Sequence, residues 1–124
     1  MNLRPQPPTG AKPVNELHDV YDFLDQVRMR PGMFVRGGSL LELQAILYGY
    51  RVASEIYSSQ PMTDFEHTGP FAEWLWPQLG RSHSSPVGWA VEITKAADTV
   101  DKSAVELLFD LLDKFKAEHR PEAR

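Results

Sequence analysis

Residues 30–39, Arg30-Pro31-Gly32-Met33-Phe34-Val35-Arg36-Gly37-Gly38-Ser39, interrupt two stretches of helical periodicity, and the break sets where helices can begin and end. Pro31 fixes its own φ and disfavours αR at Arg30, so a helix arriving from the N-terminal side must stop near Met29. Gly32, Gly37 and Gly38 permit φ > 0. Ser39 with Glu42 three residues later forms a capping box that launches the next helix. Met33, Phe34 and Val35 are too apolar to stay solvated, so the connection is expected to pack onto the core. A loop specified this closely and held by a scaffold often carries function.

Before the break, Leu17, Val20, Tyr21, Leu24 and Val27 recur at three- and four-residue steps, one face of an amphipathic helix with Asn15 as its expected N-cap. After it, Leu40, Leu43, Leu47, Tyr50 and Ser54 form one stripe, and Ile46, Ala53 and Tyr57 an adjacent one. So wide an apolar arc predicts that this second helix is central and touched from two sides. Gly49 lies inside it. A helix-interior glycine costs on the order of 1 kcal/mol relative to alanine, which predicts close approach of a neighbouring helix or bulky ring.

Residues 58–69 read as a connection, and Pro70 as the first residue of a third helix carrying Phe71, Trp74 and Leu75, limited by Trp76-Pro77. Residues 81–85 read as polar loop. Ser85-Pro86 is expected to open a fourth helix through Trp89, Ile93 and Ala96. Asp98 or Asp101 is expected to cap a fifth, with Val105, Leu108, Phe109, Leu112 and Phe115 on one face. No segment alternates cleanly between turns, and no internal repeat occurs. The expected fold is all-α, a compact bundle of about five helices with a central second helix. It forms one domain, residues 14–119, between a flexible Pro-rich tail at 1–13 and a frayed end at 120–124.

Composition narrows the function classes. The 124 residues are 42% hydrophobic, with three Trp, four Tyr and six Phe, enough for one real core. A net charge of -4 argues against a nucleic-acid partner, which calls for a basic face. There is no cysteine, so disulfides, thiolate catalysis and Cys-ligated zinc are excluded. The opening residues lack the apolar core of a secretory signal, and no window is apolar enough to span a bilayer, so a cytoplasmic protein without a membrane partner is expected.

Several groups of residues could carry chemistry. Asp19, Asp22 and Asp25 could bind a basic partner or a metal, or could form a solvated face balanced by Arg28. With no His at i+3 or i+4 on that face, no metal site is expected. His18, His67, His83 and His119 form neither an HExxH nor a two-His helical pair, although His67 and His83 could meet in space. Ser82, Ser84 and Ser85 lack a nucleophile elbow and fit a turn and a cap. Arg36 before Gly37-Gly38-Ser39, with Arg30 nearby, could hold an anion at a helix start, although no P-loop or dinucleotide pattern is present. Trp74 and Trp89 are expected in the core. Trp76 falls on another face than Trp74, and an exposed ring there beside Pro77 would make a contact hot spot. No catalytic constellation is recognisable, so neither an enzyme nor a bound cofactor is expected.

Two resemblances enter at the Pro-Gly turn. Residues 27–35 resemble the N-terminal motif of type II topoisomerase ATPase subunits, but that family's Glu-Asn helix and D-x-G-x-G turn are lacking, so ATP hydrolysis is not implied. Most of the chain resembles a family of small all-helical bacterial proteins. The match lies in Arg30 to Phe34, Ser39 with Leu43, Gly49-Tyr50, Phe71 with Trp74, Gly88-Trp89-Ala90 and Phe109 to Phe115. Arg36 stands where that pattern has Gly, with Gly37 and Gly38 following. Some such proteins are immunity proteins. The resemblance therefore implies a protein partner, a cognate toxin, met through Asp19, Asp22 and Asp25 or around Arg36 and Trp76. The rival reading is a small-molecule or anion-binding module built on Arg30, Arg36, Gly37, Gly38 and Ser39. The oligomeric state is left open.

Overall fold

Asp19 opens the first helix: its side chain accepts from the Asp22 backbone N–H and satisfies one of the donors a helix start leaves free. The computed structural model describes Lys12, residues 16–58 and residues 61–119. Among these lie α1 (Val20–Met29), α2 (Leu40–Tyr57), α3 (Pro70–Gln78), α4 (Gly88–Val100) and α5 (Ala104–His119). Two short 3-10 turns, Pro31–Met33 and Arg36–Gly38, join α1 to α2. The described residues contain no strand, and none of their helices is long and apolar enough to cross a membrane. The all-α bundle of five helices is thus established. Asn15 and most of the expected tails at 1–13 and 120–124 lie outside the described residues. Lys12, which is described, donates its backbone N–H to Gln26 Oε1 at 3.0 Å.

The Pro-Gly turn behaves largely as its composition dictates. α1 ends at Met29, Gly37 and Gly38 take φ of 60° and 72°, and Ser39 Oγ accepts from the Glu42 N–H at 3.3 Å. Val35 is fully buried and Phe34 meets Phe23 edge-on. Met33 departs from expectation: it is 65% exposed, because the 3-10 turn that buries Val35 directs it outward.

The core is organised around Phe71 rather than around α2. Phe71 is fully buried, with the rings of Phe65 and Phe115 at 5.4 Å and those of Trp74 and Trp89 at 6.0 Å. α4 is the central helix, packed against α2, α3 and α5. Its buried Trp89 and Ile93 fill volume, while Ala90 and Ala97 let its neighbours approach closely. α2 buries only Leu40, Leu43 and Leu47, so the expected central position falls to α4. A Cβ at Gly49 would meet nothing within 4 Å, and the expected close neighbour is absent among the described residues.

Three boundaries also differ from expectation. α4 begins at Gly88, two residues beyond Pro86: Ser85 Oγ caps the Val87 N–H, but Gly88 takes a left-handed φ of 88° that separates this turn from the regular helix. Asp101 is the left-handed C-cap of α4, and α5 is opened by Ser103. Ser103 and Glu106 exchange backbone-to-side-chain bonds at 3.1 Å each, a complete capping box. Trp76 is buried, 6% exposed beneath the Arg81 guanidinium, so the exposed indole expected there does not exist. Trp74 is the partly exposed one, its Nε1 donating to Glu118.

Candidate functional site

α2 is apolar over a wide arc, and among the described residues only one side of it is covered. Its exposed side presents Leu41, Ala45, Ile46, Tyr48, Gly49, Ala53, Ile56 and Tyr57, with Glu55 at one edge paired to Arg51. Leu41, Tyr48, Ile56 and Tyr57 are 57%, 63%, 66% and 86% exposed. Single exposed apolar residues are ordinary on any protein, but a contiguous run marks an interaction surface.

At its C-terminal end this face runs into an open hollow of about 720 Å³. Tyr21, Tyr50 and Tyr57 line it, with Asp19, Asp64 and His18 at its polar edge. Tyr21 donates its hydroxyl to Asp64 Oδ2, across 43 residues of chain. Burial, then the charges of Asp19 and Asp22, push the Tyr50 phenol above its ordinary pKa. Among the described residues, no Lys or Arg lines the hollow. Lys116 Nζ already stands 5.9 Å from the centre of the Tyr21 ring, and the carboxylates with the tyrosine π-faces make a slot suited to a guanidinium or ammonium group.

The structure divides the acidic stripe expected on α1. Asp19 borders the hollow and also caps the helix. Asp22 accepts from the His18 N–H at 2.9 Å and reaches the hollow through its charge on Tyr50. Asp25 is exposed and lies outside it.

The Gly-rich turn lies apart, on a groove of about 1040 Å³ bounded by Gly37, Gly38, Ser39 and the start of α5. Arg30 and Arg36 are not among the residues lining it. The Arg36 side chain is 94% exposed, while its backbone N–H donates to Glu42 Oε1 at 2.8 Å. The chain's own Glu42 carboxylate thus stands beside this helix start and opposes an anion there. Arg28 and Lys102, the cations of the groove, are paired with Asp113 and Asp110. His67 and His83 do border one shallow hollow, with Trp76 and Arg81, but no cluster suited to a metal ion forms among the described residues.

Sequence reasoning missed Tyr21, Tyr50 and Asp64 as one site. Tyr21 and Tyr50 carry the helical spacing of core residues, and Asp64 sits in a loop beside Glu66 and His67. Only the packing of α1 against the 61–69 connection joins them, a contact between residues far apart in the chain. No protein-family model matches the chain, and no curated protein and no solved structure matches it.

Proposed function

We propose that the chain is a non-catalytic protein-binding domain. Its contact surface is the exposed face of α2 together with the hollow at Tyr21, Tyr50, Tyr57, Asp19 and Asp64. The observation that carries this reading is their continuity, since Ala53 and Tyr57 belong both to the apolar face and to the rim of the hollow. Such a surface suits a partner segment with an apolar stripe and one long cationic side chain. Apolar burial supplies most of the affinity, and the carboxylates supply orientation and rate of encounter. The finer form is a neutraliser of the immunity or antitoxin type, acting in the cytoplasm on a basic toxin. The net charge of -4 supports it, as does the resemblance to small helical bacterial proteins.

The test is capture from the native host with tagged wild-type chain and with Ile56→Lys. The expected result is a basic protein enriched by the wild type and lost with the variant. A partner retained equally by both would place recognition elsewhere, and no partner with either would remove the neutraliser reading.

A further inference from the structure

We infer that the exposed face of α2 is covered by a second copy of this chain. The two helices run antiparallel about a two-fold axis, and each copy inserts Arg36 into the other's acidic hollow. The inference rests on the protein-binding reading above and names the occupant of its surface when no other partner is bound.

The first ground is the face itself. α2 is 18 residues long, about 27 Å at 1.5 Å per residue, and its outward stripe at Leu41, Ala45, Tyr48, Val52 and Ile56 carries no charge. α5 presents Glu106, Asp110, Asp113 and Lys114 to solvent, as an uncovered helix does.

The second ground is that the two ends of α2 are complementary and share one flank. At the N-terminal end stands Arg36, its side chain 94% exposed, beside Glu42. At the C-terminal end lies the hollow, entered past Ala53 and Tyr57. Glu42, Ile46, Ala53 and Tyr57 fall on one helical stripe, so cation and hollow lie along the same side of the face.

The third ground is symmetry. A two-fold axis perpendicular to α2 reverses the helix direction and keeps each flank opposite itself. It brings the Arg36 end of one copy beside the Tyr57 end of the other, twice over. With the axis near Tyr48 and Gly49, Leu41 faces Ile56 and the Tyr48 ring lies beside the open surface at Gly49. Leu40 then faces Tyr57 on the rim of the hollow, and Arg36 lies in the short turn just before Leu40. There the guanidinium meets carboxylates and tyrosine rings. One helix face is smaller than the roughly 800 Å² per partner of a standard interface, so the dimer is weak, forms in the micromolar range and depends on concentration.

The experiment is sedimentation equilibrium of the full chain from low micromolar to near-millimolar concentration. The wild type is expected to pass from monomer to dimer across the range. Ile56→Lys, Arg36→Glu and Tyr57→Lys each weaken the dimer at least tenfold while circular dichroism stays helical. The double variant R36E/Y57K, which sets opposite charges at the two facing ends, recovers part of the loss. A wild type that stays monomeric throughout overturns the inference, as does a dimer indifferent to Ile56→Lys and Arg36→Glu. The protein-binding reading survives either result if capture from the host still depends on Ile56. A dimer with no other partner captured sustains the inference and removes the neutraliser.

Discussion

Replacing Ser85 with alanine removes a single oxygen from a polar site buried to 1% exposure. The hydroxyl donates to Glu92 Oε2 at 2.6 Å and accepts from the Val87 N–H at 3.1 Å. Arg81 Nη1 lies 3.6 Å from the same carboxylate oxygen, and the Glu92 side chain is only 13% exposed. Ser85→Ala therefore leaves a largely buried charge short of one hydrogen bond and a backbone donor without its acceptor, with no added bulk and only a small void. A hydrogen bond to a charged group contributes about 1.5–3 kcal/mol and a capping bond about 1 kcal/mol. Arg81 and the remaining exposure hold the carboxylate loss to the lower end, so the expected cost is about 2–3 kcal/mol. For a domain of this size that corresponds to a fall in Tm of roughly 8–12 °C. Urea denaturation followed by circular dichroism measures it, in a cycle with Glu92→Ala. The two changes should couple by at least about 1 kcal/mol, because each removes the same bond. A Ser85→Ala variant within about 0.5 kcal/mol of the wild type, or purely additive effects, would refute the assignment of this bond as a fold determinant.

Two glycines separate helix propensity from sterics. Gly49→Ala, with open space around its Cβ, should stabilise the monomer by roughly 0.5–1 kcal/mol in dilute denaturation experiments. Gly69→Ala should destabilise by about 1–3 kcal/mol, because its Cβ would collide with the Thr63 carbonyl at the start of α3; a neutral result would show that this corner yields freely. Trp76→Ala should cost about 3–5 kcal/mol in the same denaturation assay, as a core ring does and an exposed contact residue does not. In alkali, the raised Tyr50 pKa means that the folded state keeps a proton the unfolded state has lost. The corresponding stability is fully present below about pH 10 and is lost as pH rises from there through the folded-state value; Tyr50→Phe should flatten that part of the stability–pH curve.

Most helix limits are legible in the chain because they are local chemistry. Pro31 stops α1, Ser39 starts α2, and Pro70 sits at the first turn of α3. Where two local signals compete, the reading slips. Ser85-Pro86 resembles a helix start, and Ser85 Oγ does accept from the Val87 N–H, yet Gly88 takes a left-handed φ of 88° and regular α4 opens only there. Asp98 and Asp101 resemble caps, but the Ser103–Glu106 box opens α5. Apolar spacing identifies faces that avoid water without naming what covers them. Ile46, Tyr50 and Tyr57 carry the same helical signal as Leu43 and Leu47, yet only the latter two are buried.

The amino-acid order alone therefore determined an all-helical chain, the bend at residues 30–39 and the apolar character of α2. Each follows from backbone chemistry or from spacing over a few residues. Tertiary packing decided that α4 lies at the centre, that Trp76 is covered, and that Tyr21, Tyr50 and Asp64 share one acidic hollow. Those outcomes depend on which surfaces meet around Phe71, a choice made between segments far apart in the chain, where local propensity has no reach.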